Sequence, residues 1–202
     1  GFKDMLWNSF VSATAFHTQT NNEIYLNMDH GVLGGPSTAR WTFHNLKSTE
    51  RTGVELFAEQ YLGKLRVNES FTYVNAKIKK VGDDVLNSTT YNFKDGQKIP
   101  GVPSTKVTLG LDYEIADGLR TTANLNYYSS SVDTYNEKIP SYSTTDLGLK
   151  YKHQSGFGIN AGVKNVFNKK YNVAQGKDPL TGKTVYSPAD ERTYYIGASY
   201  EF

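Results

Sequence analysis

The second half of the chain alternates between apolar and polar positions. In VTLGLDYEI (107–115), Val107, Leu109, Leu111, Tyr113 and Ile115 fall on one side of an extended backbone. Thr108, Gly110, Asp112 and Glu114 fall on the other, the period of a strand with two unlike faces. After the turn ADG, residues 119–127 set Leu119, Thr121, Ala123, Leu125 and Tyr127 against Arg120, Thr122, Asn124 and Asn126. Residues 145–152 set Leu147, Leu149 and Tyr151 against Asp146, Gly148, Lys150 and Lys152. After HQSG, Phe157, Ile159, Ala161, Val163 and Phe167 oppose Gly158, Asn160, Gly162 and Lys164. The last ten residues, TYYIGASYEF, put Tyr194, Ile196, Ala198, Tyr200 and Phe202 in the same register.

The first half follows the rule less cleanly. Val54, Leu56 and Ala58 share a face opposite Glu55, Phe57 and Glu59. Leu65, Val67, Phe71 and Tyr73 share one that also carries Glu69, for which the pattern offers no reason. LWNSFVSATAFHTQ is strand-like with no clear facing. Helical periodicity is absent. The pattern predicts eight strands, over roughly 5–25, 42–60, 64–80, 104–115, 119–131, 141–153, 157–167 and 191–202. Their connections alternate in length. Short turns fall near 61–64, 116–118 and 154–156, and long loops over 28–41, 81–103, 131–140 and 168–190.

An antiparallel meander with short turns at one end and long loops at the other suits an outer-membrane barrel, with its short periplasmic turns and long extracellular loops. Composition sharpens that reading. Apolar residues make up 38% and the mean hydropathy is −0.55, poor for a conventional core. A barrel wall resolves this by facing its apolar side to lipid and its Gly, Asn, Lys and Glu side to a polar lumen. A tilted spanning strand needs only about ten residues. No apolar run is long enough for a membrane helix. The chain opens without an initiator Met or a signal-peptide pattern, as a processed chain or a piece of a longer one would. The absence of cysteine excludes disulfides and thiolate metal sites, and a net charge of +2 does not suggest a nucleic-acid partner. A soluble β-sandwich and a self-contained eight-stranded barrel remain as alternatives.

Several stretches taken in order resemble the TonB-dependent outer-membrane receptors. They are HNLKSTERTGVELFAEQY with Asn45, Gly53 and Glu55, KIPGVPSTKVTLGLDY, and IPSYSTTDLGLKY with Pro140, Tyr142, Asp146 and Leu147. GVKNVFNKKYNV follows with Asn165, Phe167, Asn168 and Tyr171, then ERTYYIGASYEF, where Glu191 stands in place of the usual Gly. The resemblance implies an all-β, antiparallel transmembrane barrel of about 22 strands plugged by a separate domain. Residues 1–202 would be its C-terminal part, the last eight or so strands, with the plug domain absent from this chain. It also implies TonB-dependent uptake of a ferric siderophore or haem, less readily cobalamin, with no enzymatic activity and no covalently bound cofactor. The implied partners are the plug and earlier strands, the TonB complex acting through the plug, outer-membrane lipid and lipopolysaccharide, and the barrel-assembly machinery. No nucleic acid is implied.

Candidate ligand contacts lie in the expected extracellular loops. Asp29 and His30 in MDHGVLGGP could meet a metal complex, with Arg40 at the far end of the same loop. Lys169, Lys177 and Lys183, with Arg192 just beyond, could steer an anionic chelate, bind lipopolysaccharide phosphates or simply keep a loop hydrated. Lys170 lies in the same run. His17, His30, His44 and His153 form no zinc-enzyme pattern. TGKT (181–184) lacks the Gly of a phosphate-binding loop, since Lys177 stands there. Asp146 and His153 with Ser143 or Ser155 are the only hint of a hydrolase, and their spacing alone defines no site.

The terminal alternation resembles the signal that barrels present to the assembly machinery, carried here by Tyr194, Ile196, Ala198, Tyr200 and Phe202. Deleting Phe202 should therefore lower outer-membrane insertion of the complete receptor far more than Lys177→Ala. Surface levels measured by antibody or protease accessibility test this, and equal levels for the two variants would count against the signal.

Overall fold

The computed structural model describes residues 1–29, 40–82, 93–178 and 181–201, with backbone alone at 26–29 and 40–44. Nine strands form one sheet: β1 (Phe2–Leu6), β2 (Ser9–Asp29), β3 (Arg40–Leu62), β4 (Leu65–Lys80), β5 (Thr105–Ala116), β6 (Leu119–Tyr128), β9 (Tyr142–Lys152), β10 (Phe157–Lys164) and β13 (Thr193–Tyr200). Each pairs antiparallel with the next in that order. Two small hairpins stand apart, β7 (Ser131–Val132) with β8 (Lys138–Ile139) and β11 (Asn172–Lys177) with β12 (Thr184–Pro188). No helix occurs among the described residues.

The all-β antiparallel architecture expected from the alternation is therefore present, with one strand more than expected. The single first strand expected over 5–25 is a hairpin: Phe2–Leu6 pairs back onto Ser9–Ala13 through the tight turn Trp7–Asn8. Trp7 carries it with a positive φ of 52°. Bulky residues rarely adopt that conformation, so no turn signal is legible at Trp7–Asn8. The strand expected to reach residue 167 stops at Lys164, because Asn165 turns the chain with φ 49°. The connections 131–140 and 168–190, expected as plain loops, each contain one of the small hairpins.

The register sorts the side chains onto two faces. Val67, Leu111, Ala123, Leu147, Val163 and Tyr194 lie in one row across six strands. Phe71, Val107 and Tyr127 lie in another, and Tyr113, Thr121, Leu149, Ala161 and Ile196 in a third. Apart from the buried Val67 and the polar Thr121, these side chains are apolar or aromatic and half-buried to exposed, Leu147 at 46% and Ile196 at 81%, and they form a continuous band far larger than a soluble protein tolerates. Tyr113, Tyr151 and Tyr200 mark its short-turn margin and Tyr73, Tyr127 and Tyr194 its opposite margin, as aromatic girdles do. Glu69 lies within the band between Ala58 and Leu109. A carboxyl there costs less than Lys or Arg would, and the small Ala58 leaves it room.

Short turns at Trp7–Asn8, Gly63–Lys64, Asp117–Gly118 and His153–Gly156 all fall at one end, together with Glu201. At the other end β2 and β3 run on past their neighbours, and the connection after β4 folds back. There Leu46, Ala76, Ile78, Val81, Phe93 and Ile99 form a buried apolar cluster, with Tyr25 edge-on to Phe93 at 5.3 Å. The conventional core of the chain thus lies under this loop, outside the apolar band.

Gly53 allows the second and fourth strands to close on the third. A Cβ there would collide with the Tyr73 carbonyl oxygen and come within 2.6 Å of Phe16 Cζ. Gly53→Ala should cost about 1–3 kcal/mol by overpacking. A lowered urea midpoint for the purified receptor, read by loss of the heat-modifiable folded band, is the check.

Candidate ligand-facing site

The polar face of the sheet carries the chain's ordered charges. Asp112 is 8% exposed and lies between two guanidiniums, Arg66 at 3.2 Å and Arg120 at 2.7 Å. Glu114 lies 3.7 Å from Arg120 on its other side. The register makes this geometry, because Arg66 faces Asp112 across one ladder and Arg120 faces Glu114 across the next. Nearer the loop end, Glu23 binds Arg51 through both carboxylate oxygens, at 2.6 and 3.0 Å, and also accepts the Thr49 hydroxyl. The Arg51 bond holds the Glu23 carboxyl below its usual range against the opposing effect of burial.

Above these pairs the inner face becomes aromatic. Tyr128 stacks on Tyr142 with centroids 5.0 Å apart, Tyr142 stacks on Tyr171 at 3.9 Å, and Lys106 lies 5.8 Å from the Tyr128 ring. Beside the stack is a cavity of about 470 Å³ whose walls include Asp146, Lys164, Asn165, Tyr171, Asp190 and Glu191. Burial raises the pKa of the Tyr171 hydroxyl, with nearby Asp146 and Asp190 adding to it. Tyr25 is pushed up to about 12, chiefly by burial and then by Asp133 and Glu23. Both hydroxyls are therefore neutral donors at ordinary pH. The cavity offers carboxylates, an ammonium, a phenol and stacked rings in one place.

Two buried polar side chains fix this rim. Asn165 donates to the carbonyls of Lys169 and Asp190, at 2.9 and 3.4 Å, and accepts the Lys169 amide at 2.8 Å. Its own amide donates to Asp146 at 2.8 Å. Asp133 accepts the amides of Tyr135 and Glu137 and the side chain of Gln175. It thereby ties the β7–β8 hairpin to the β11–β12 hairpin.

The residues singled out in the sequence do not converge. Lys177 is committed to Glu137 at 2.7 Å and lies over the Tyr135 ring, and the Glu137 bond raises its pKa. Lys169, Lys183 and Arg192 are exposed, and Lys170 pairs with Glu191 at 3.3 Å. Asp29 and Arg40 face each other across the ends of β2 and β3. His30 and Phe202 lie outside the described residues. Tyr194, Ile196, Ala198 and Tyr200 occupy one face of β13, opposite Val163, Ala161, Ile159 and Phe157. His153 bonds Ser155 at the short-turn end, while Asp146 bonds the Asn165 amide at the loop end, so they form no catalytic set. Sequence reading missed Asp133, the tyrosine stack and the partners of Asp112. Only Asp133 left a local trace, an Asp opening the turn DTYNE.

An antiparallel wall with an apolar outer face, a charged inner face and unlike ends defines an outer-membrane β-barrel protein. The chain belongs to the family described as "TonB dependent receptor-like, beta-barrel", whose model matches residues 1–166. It is 27% identical over 209 residues to a 47 kDa outer membrane protein of Pasteurella multocida (strain Pm70), a match covering 100% of this chain and 44% of that relative. Two solved structures share the fold over 99% of the chain. BauA, the ferric preacinetobactin receptor from Acinetobacter baumannii, superposes with a TM-score of 0.69 at 22% identity over 28% of its own length. The copper transporter OprC does so with a TM-score of 0.72 at 17% identity over 30% of its own length. The chain thus spans less than half of the first and under a third of the others.

Asn165→Ala should free the 165–192 segment. It removes side-chain bonds worth about 1–3 kcal/mol where partners are left unpaired. Limited proteolysis of intact cells should then cut between Asn165 and Arg192 in the variant well before the parent.

Proposed function

We propose that this chain is the C-terminal barrel portion of an outer-membrane receptor that takes up an iron chelate, a ferric siderophore or haem, in a TonB-dependent manner. Its role is transport and not catalysis. The observation that carries the reading is the open sheet. β1 and β13 are its outer strands, each paired on one side only among the described residues. Eight antiparallel steps separate them, so both run in the same direction. They could pair directly only as parallel neighbours. An all-antiparallel barrel therefore needs an odd number of further strands between them, since unpaired backbone is not tolerated in lipid. A self-contained barrel of these strands lacks its closing pair.

The remaining strands and a plug complete the receptor in this reading. The polar inner face, with Asp112, Arg120, Glu23 and Arg51, faces the plug. The rim with Tyr128, Tyr142 and Tyr171 meets the cargo, and Lys169, Lys183 and Arg192 steer an anionic chelate towards it. Force from the TonB complex reaches the cargo through the plug. Family membership and the likeness to a ferric-chelate receptor and a copper transporter support a metal complex as cargo. The apolar face contacts lipid and lipopolysaccharide, and the end of β13 is offered to the assembly machinery.

The test is uptake of radiolabelled iron by cells carrying the complete gene, supplied as a panel of ferric siderophores and haem. Accumulation of at least one complex should depend on both the gene and TonB. Uptake of every complex unchanged by deletion of the gene, or uptake confined to copper, would overturn the reading.

A further inference from the structure

The segment after the buried loop core returns along β4 and places two lysines side by side. Lys77 and Lys98 are antiparallel bridge partners. The bonds flanking them run from Ile78 N to Gln97 O at 2.8 Å and from Ile99 N to Ala76 O at 3.1 Å. That arrangement makes them a non-hydrogen-bonded pair, the position where opposing side chains are closest. Like charges directly opposite each other disfavour a sheet. The pair cannot separate by relaxing the loop, because Ala76, Ile78, Phe93 and Ile99 are buried around it.

The register extends this row across the outer face. Gln19 opposes Glu50, Glu50 opposes Lys77, and Lys77 opposes Lys98. Lys79, two residues on, binds Glu50 at 2.7 Å. Lys79, Lys77 and His17 together hold the Glu50 carboxyl below its usual range, which places these groups around one acid. Lys80 points to its own partner, Asp95, at 2.9 Å. Among the described residues, Lys77 and Lys98 make no ion pair with an acid, and both are exposed. Two ammonium groups and a histidine therefore lie around a single carboxylate already taken by Lys79, and Lys98 stands one strand beyond, opposite Lys77.

The location selects the ligand. Lys77 faces the same way as Tyr73, four residues earlier on β4 and at the margin of the apolar band. Four residues span about 13 Å along a strand, or about 10 Å along the membrane normal at a tilt of about 40°. The lysines therefore stand at the polar layer above the hydrocarbon, on the outside of the wall, away from any cargo path. We propose that Lys77 and Lys98, assisted by Lys79, bind a phosphate group on the headgroup of an outer-leaflet lipid. The phosphate supplies the anion the lysine pair lacks, and the lipid's acyl chains lie along the apolar band below. This proposal rests on the outer-membrane location and is independent of the cargo.

The complete receptor, extracted from outer membranes in mild detergent and washed, should retain about one phosphorylated glycolipid per molecule by native mass spectrometry. The paired variant Lys77→Gln/Lys98→Gln should retain roughly tenfold less, as expected when two charge-assisted bonds to phosphate are lost. Lys77→Arg/Lys98→Arg should retain it, and so should Lys64→Gln at the opposite end. Iron uptake by the Gln variant should be unchanged, which separates failure here from failure of the transport reading. Equal retention by the Gln variant and the parent would overturn the proposal. So would equal retention of an enzymatically dephosphorylated lipid. A third overturning result is calorimetric binding of inorganic phosphate that the Gln variant loses while lipid retention persists, since that assigns the lysines to a soluble anion.

Discussion

Within hydrocarbon a peptide N–H has no water to bond, and each unpaired backbone group costs several kcal/mol. The rest of this structure depends on meeting that constraint. It imposes continuous ladders, and the ladders impose the two-residue period that sends Leu111, Ala123 and Leu147 outward and Asp112, Thr122 and Gly148 inward. The same constraint leaves β1 and β13 dependent on strands beyond these nine.

Where the strands leave the lipid, the constraint relaxes and ordinary protein chemistry takes over. The apolar cluster around Ile78 and Phe93 buries side chains as a soluble domain would. Asn165 and Asp133 replace ladder bonds with side-chain bonds, because the chain there turns too sharply to pair with a neighbour strand. The rim is therefore held by a few polar side chains on a rigid base. Such a base positions stacked rings and a polar cavity for recognition better than free loops do.

Charge is sorted by face in the same way. The inner wall places its acids between cations, as Asp112 lies between Arg66 and Arg120 and Glu23 grips Arg51. These pairs give the interior a fixed pattern for a polar surface to dock against. On the outer face the charges gather beyond the girdle, where Lys77 and Lys98 stand in register. Glu69 sits within the apolar band between Leu109 and the small Ala58, and Asp4 lies further along the same row, opposite Val11.

The sequence by itself determined the alternation, hence the strands, their two faces and the unlike ends, because side-chain period and turn chemistry are local properties. It gave the facing of Val54, Leu56 and Ala58 and the short turns at Asp117–Gly118 and Ser155–Gly156 correctly. It missed the turn at Trp7–Asn8, where tertiary pairing holds a bulky residue at positive φ against its own preference. It could not show that Lys177 is occupied by Glu137, that Tyr128, Tyr142 and Tyr171 stack, or that Lys98 faces Lys77. Each of those joins residues far apart in the chain. Only the register of the sheet and the way its loops fold back bring such residues within bonding distance.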